Sequence, residues 1–379
     1  MAENFSLCLL RPPPPPEDDP LMFDHLINSI AIPLVCIPGV FATIICMVVF
    51  SRPQMRSTLN VYLAGLSLFD LLLLAMSLLI YPPMSLCMRT GNLSICHFFW
   101  RTALVTFPIS LASQTASVWT CVAITVDRFM AVQYPLKTRI VCTPNKAALI
   151  LIIIASLSFL YKMPSVFEVR LNECGRLEAS ELRKNELYIT IYNTYGYLLL
   201  LIAIPWSIMI IFNVIVVRAV HQAYHKRQSL TKSKGRVDDK ERRCTIMALV
   251  MLSTFILFNL LAGVNNIVEA FFKDYEDYYR ERISVGNLLV CINSASNILI
   301  YSIFGRKFRR ICMKMFCPCM DTRGYLWLAP TMANPSEHEY RKNSSPSRRG
   351  SSLRSTTKKT ITETELVQKP SHLPSGLAI

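Results

Sequence analysis

Three ionisable residues in this chain stand where an apolar sequence would ordinarily exclude them. Asp70 sits in the middle of "LAGLSLFDLLLLAM" with no base within helical reach. A carboxyl so placed is either neutralised by burial and hydrogen-bonded to its neighbours, or it holds a cation or water. Ser117, Asn293, Ser294 and Asn297 are the polar residues that could complete such a cation or water site, and the last three share one helical face by their spacing. Asp127 and Arg128 close another apolar run, in "AITVDRFMAVQYPLK". Exposed to water, that ion pair would contribute almost nothing to stability. Tucked between helix ends it becomes a latch, with Glu241 of "DDKERRC" as a second acid for Arg128. The competing reading of Glu241 is a solvated acid favoured by the positive end of its helix.

Helices in a membrane must position these groups. The chain has 379 residues, 52% of them hydrophobic, and a mean hydropathy of +0.35, with the apolar residues gathered into long blocks. Blocks meeting the roughly 20 residues a spanning helix needs run from Ile27 to Phe50, Leu59 to Ile80, Phe98 to Ile124, Ala147 to Phe167, Tyr188 to Val217, Cys244 to Phe272 and Ile283 to Phe304. Irregular backbone cannot face lipid with its polar groups unpaired. The expected fold is therefore all-α, a seven-transmembrane bundle over 27–304. Residues 1–26 form an extracellular tail; they hold "RPPPPPEDDP" instead of a cleavable signal.

Lys and Arg in the connections give the orientation. Arg52, Arg56, Lys137, Arg139, Lys146, the long "HKRQSLTKSKGRVDDKERR" loop and "GRKFRR" share one side, taken as the cytoplasm. The formal net charge of +15 is then mainly an inner-surface property that suits lipid rather than nucleic acid. The amino terminus and the sequons at Asn4 and Asn92 fall outside, where glycosylation occurs, whereas Asn343 falls inside and stays bare. Four of thirteen cysteines, Cys8, Cys87, Cys96 and Cys174, also lie outside. Cys96 and Cys174 are the expected disulfide, with Cys8 and Cys87 as rival partners.

Past the last span, 305–319 forms a short amphipathic eighth helix. Phe304, Phe308, Ile311 and Met315 face the lipid and the basic residues face its headgroups. Cys317 and Cys319 are candidate palmitoylation sites. The polar, Ser- and Thr-rich stretch 320–379 is expected to be a disordered cytoplasmic tail. Ser351 in "RRGS" suits a basic-directed kinase, and phosphorylation would reverse the local basic sign of the tail so that it could engage a basic partner surface.

These residues resemble a family. "DRFMAVQYPL" is similar to the DRYxxVxxPL signature of rhodopsin-like (class A) G-protein-coupled receptors, and "NSASNILIY" before "SIFGRKFRR" resembles their NPxxY motif and eighth helix. Within that class, "SRPQMRSTLN" and Ile298 in place of the NPxxY proline resemble the invertebrate FMRFamide-like neuropeptide receptors. The resemblance implies a plasma-membrane receptor for an extracellular, short amidated peptide, signalling to a heterotrimeric G protein. Asp127, Arg128, Glu241, Asn297 and Tyr301 would be its activation switch. No enzyme, cofactor or metal is implied.

The departures also carry information. Ala42 and Thr43 stand where the family has Asn, Asn259 and Leu261 replace the Trp and Pro of CWxP, and Asn213 replaces a fifth-span Tyr. Without that proline the sixth helix has no obligatory kink. Cys96 precedes Arg128 by 32 positions, about two helical turns more than usual, so either the third helix starts early or its disulfide is placed differently. With the motifs as depth markers, Gln114, Tyr192, Tyr195, Asn266, Glu269 and Asn287 lie at ligand depth. Glu269, with Glu168 and Glu173, could pair with a peptide arginine. Ser110, one turn above Gln114, argues against an amine ligand. A class A receptor for a different small ligand and a membrane transporter are the alternatives, though the chain shows no internal repeat of the kind transporters carry.

Overall fold

The computed structural model describes residues 21–172, 175–229, 236–271 and 279–316. Seven helices in it are long and apolar enough to cross a membrane. Their main α-helical portions are α1 (Ile32–Phe50), α2 (Thr58–Thr90), α3 (Leu93–Gln133), α4 (Pro144–Lys162), α5 (Ile204–Ser229), α6 (Arg236–Phe271) and α7 (Tyr279–Phe304), followed by α8 (Arg306–Phe316).

Local chemistry sets the helix ends. Ser57, Asn92 and Thr143 each accept a backbone N–H in the first turn of α2, α3 and α4, satisfying donors that a helix start leaves orphaned. Gly91 ends α2 with φ 59° and ψ 17°, the left-handed conformation glycine adopts without penalty. Helix also begins before α1, at Leu21, and passes through a π turn, Ile27–Ala31, into Ile32. The first helix therefore starts six residues before the expected Ile27.

Among the described residues two apolar clusters hold the bundle. Phe50, Tyr62, Leu63, Leu66, Ile124, Met251, Leu252, Tyr301 and Phe308 pack together toward the Arg128 end. Ile27, Ile32, Cys36, Leu74 and Cys291 join the first, second and seventh helices nearer the opposite end. Side chains such as Leu34, Phe41, Ile152 and Leu257 are exposed, as expected where the solvent is lipid and offers no hydrophobic penalty. At the α7–α8 corner a Cβ on Gly305 would lie 2.5 Å from the Tyr301 carbonyl oxygen, so only glycine fits. Arg309 caps α7 by donating to the Ser302 and Ile303 carbonyls at 2.7 and 2.6 Å. Phe308 is buried while Ile311 and Met315 pack on the core, so the apolar face of α8 covers the bundle.

Between α4 and the fifth span, β1 (Val169–Leu171) pairs antiparallel with β2 (Leu177–Ala179). The fifth span opens with π turns over Ile189–Gly196 and Leu198–Ala203 before α5 begins.

Candidate functional site

Asp70 is 1% exposed and gathers polar groups from α3 and α7. Its Oδ1 accepts from Ser117 Oγ at 3.3 Å and Ser294 Oγ at 2.9 Å, and its Oδ2 accepts from Asn297 Nδ2 at 2.8 Å. All three donors are neutral, so the carboxylate meets no positive side chain in these bonds. Asn293 is buried as well, but it is absent from these contacts. Thr43, near where the family has Asn, turns back to the Gly39 and Val40 carbonyls at 3.0 Å. Tyr301 is fully buried, its ring edge-on to Phe50 at 4.9 Å and its hydroxyl 3.5 Å from Met251 Sδ.

At the end of α3 the Asp127 carboxylate accepts from Arg128 Nη2 at 2.5 Å and Nε at 3.2 Å. Their side chains are 3% and 14% exposed respectively. The pair is thus tucked in and not exposed to water. Glu241 lies on α6, but its side chain falls outside the described residues. Just beyond, Tyr134 ends α3 and a short helix, Pro135–Val141, follows. Burial, with the Asp127 carboxylate as the next contributor, raises the pKa of the Cys142 thiol in the next connection.

Toward the opposite end a narrow cavity is lined by Gln114 and Val118 of α3, Tyr197, Leu201 and Trp206 of the fifth span, and Phe255 and Asn259 of α6. Asn259 donates to the Phe255 carbonyl at 2.9 Å. Trp206 packs so close to α6 that a Cβ on Gly263 would meet its ring at 3.0 Å. Among the described side chains expected at ligand depth, only Gln114 lines this cavity. Tyr192 instead donates to the Tyr161 carbonyl, and Tyr195 and Asn287 stand apart from the cavity. The side chains of Asn266 and Glu269 are outside the described residues.

Glu168 is held in place by its neighbours: Tyr188 Oη donates to it at 2.8 Å and Arg183 Nη1 at 3.1 Å. Glu173 lies outside the described residues. The expected disulfide is corrected: Cys96 is bonded to Cys87, with Cα atoms 4.8 Å apart. The cause is the tight α2–α3 hairpin, which sets one helical turn on each side of Gly91 face to face. It also accounts for the long interval from Cys96 to Arg128, because α3 starts early, at Leu93, and its disulfide closes locally. Cys174, Asn4, Cys317, Cys319 and Ser351 lie outside the described residues. Asn92 is exposed at this hairpin, where its Oδ1 caps Ser94 N.

Sequence reasoning passed over two groups. Asp24 accepts from Asn28 at 2.8 Å and from Ser284, tying the first helix to α7. Lys162 is buried at the end of α4, and it lies inside the expected fourth span, so the criterion that singles out Asp70 applies to it equally.

The model of the family described as "7 transmembrane receptor (rhodopsin family)" matches residues 42–301, an interval holding Asp70, Arg128 and Tyr301. The chain belongs to the rhodopsin family of seven-transmembrane receptors. It is 35% identical over 304 residues to the FMRFamide receptor of Drosophila melanogaster, covering 76% of this chain and 53% of that one. It is 32% identical over 301 residues to the FMRFamide peptide receptor frpr-18 of Caenorhabditis elegans, covering 76% and 69%. The sex peptide receptor of Drosophila melanogaster is more distant, 24% identical over 329 residues, 78% of this chain and 74% of that one. The chain thus spans about half the length of the Drosophila FMRFamide receptor.

Proposed function

We propose that this rhodopsin-family chain is a plasma-membrane receptor with its amino terminus outside, activated by a short amidated peptide of the FMRFamide type. Its inner face engages a heterotrimeric G protein, and arrestin follows through the phosphorylated tail. The observation carrying this reading is the identity of 35% and 32%, across the bundle, to two receptors named for FMRFamide. The lysine and arginine distribution supports the orientation. The Gln114 cavity opposite the Arg128 end, with no acid among its lining residues, supports a ligand other than a simple amine.

Activation is differential binding. The peptide prefers one arrangement of helices from outside, and the G protein prefers the same one from inside. The Asp127–Arg128 pair restrains the resting arrangement, and its release frees Arg128 for the G protein. Asp70, Ser117, Ser294 and Asn297 form a polar joint between α2, α3 and α7 that a sodium ion occupies in the resting state.

Purified receptor in lipid nanodiscs, mixed with G protein and Phe-Met-Arg-Phe-amide, tests this. Guanine-nucleotide exchange should accelerate with the amide and respond far less to the free acid. No acceleration by this or any other amidated peptide, across the G-protein classes, refutes the reading.

A further inference from the structure

Helix α4 turns most of its apolar side chains outward, including Leu149, Ile152, Leu157 and Leu160, and buries Ala147, Ser158 and Lys162. Ser158 and Lys162 are four residues apart and so share the inward face. Lys162 is 6% exposed. Its ammonium lies 4.7 Å from the ring centroid of Tyr161, 5.6 Å from that of Tyr192 and 5.7 Å from that of Tyr197.

Three ring faces return only part of the hydration that a buried ammonium loses. Glu168 is the nearby acid, but both its oxygens are engaged, one by Tyr188 and the other by Arg183. Among the described residues Lys162 Nζ takes part in no hydrogen bond or ion pair, and its close contacts are the three rings. The Tyr161 hydroxyl in the same cluster is also buried without a partner. The Tyr161 hydroxyl, one of five such unpartnered buried side-chain atoms among the described residues, thus belongs to the cage that holds the ammonium, where a partner for both groups would ordinarily be expected. Tyr197 belongs both to this cage and to the wall of the Gln114 cavity, so the two sites adjoin.

We infer that Lys162 and the Tyr161 hydroxyl form a carboxylate subsite beside the Gln114 cavity, which receives an acidic residue of the peptide ligand. Two oxygens of one carboxylate satisfy both donors, and its charge neutralises the ammonium. A second cation would be repelled from the same place. The inference rests on the peptide-receptor reading and adds to it the charge of a ligand residue.

The test uses Asp-Phe-Met-Arg-Phe-amide, its Asn counterpart and its Lys counterpart on cells expressing the full chain, read as second-messenger potency. Wild type should prefer Asp over Asn by about tenfold or more, the scale of one charge-assisted hydrogen bond, with Lys weakest. Lys162→Met should abolish that preference while its surface expression is followed by an antibody tag, and Lys162→Arg should keep most of it. Equal potency of the three peptides on wild type overturns the inference, whether or not the variants reach the surface. An unchanged Asp preference in surface-expressed Lys162→Met overturns it as well. Silence of wild type to all three peptides and to Phe-Met-Arg-Phe-amide is a different result: it removes the peptide reading, and the subsite falls with it.

Discussion

Replacing Asp70 separates what its charge does from what its oxygens do. In Asp70→Asn the side-chain oxygen can take the place of Oδ2 and accept from Asn297, 2.8 Å away. The new NH2 then faces Ser117 and Ser294, whose hydroxyls both accept and donate. All three contacts survive as neutral hydrogen bonds. Each is weaker than its charged predecessor by about 1 kcal/mol, and removal of a buried charge offsets much of that. Asp70→Ala removes every acceptor. The serines can turn to carbonyls in their own helices, but Asn297 is left with an unmet buried amide, which with the cavity costs about 2–4 kcal/mol. Thermal unfolding of the detergent-solubilised receptor can be followed with a thiol-reactive fluorophore, because Cys36, Cys46, Cys121 and Cys291 are free and buried. At roughly 2 °C per kcal/mol, Asp70→Asn should stay within ~2 °C of wild type and Asp70→Ala should fall by ~4–8 °C. The same Asn variant should lose the sodium dependence of agonist affinity. Equal destabilisation by both variants would refute the hydrogen-bond argument, and retained sodium dependence would refute the ion site.

Other perturbations address the ends of the bundle. Asp127→Asn should raise ligand-free signalling several-fold, because it removes one charge from a pair shielded from water. Arg128→Ala should uncouple the receptor at normal surface expression, and unchanged signalling in both variants would reject the latch. Cys87→Ser, Cys96→Ser and the double variant should lower surface expression equally, as one bridge predicts; a clearly larger loss in the double variant would contradict it. Gly305→Ala should displace α8 and cost about 1–3 kcal/mol through the contact with the Tyr301 carbonyl, read as lowered thermal stability of the purified receptor.

The seven spans were legible because lipid demands a long apolar run for each crossing. Their ends were less so, because a helix continues into water wherever caps allow: α2 runs to Thr90 and α3 starts at Leu93, both beyond the apolar blocks. The Asp70 cluster was legible from the spacing of Ser294 and Asn297, whereas spacing alone could not tell that Asn293 makes no hydrogen bond to Asp70. The ligand face was the least legible. Motifs fix depth along a helix but not direction around it, and the π turns at Ile189–Gly196 and Leu198–Ala203 break the 3.6-residue period that would have aimed Tyr192 and Tyr195. The Cys87–Cys96 bridge depended on how closely a hairpin folds, which cysteine counting does not reveal.

In the proposed receptor an outer peptide site and the Arg128 face are coupled through one bundle. Affinity of the nanodisc receptor for a labelled amidated agonist, measured with and without nucleotide-free G protein, tests this coupling most directly. Affinity should be about tenfold tighter with G protein, within the usual range of coupling free energies, with no such gain in Arg128→Ala. Identical affinity in the presence and absence of every G-protein class would contradict it.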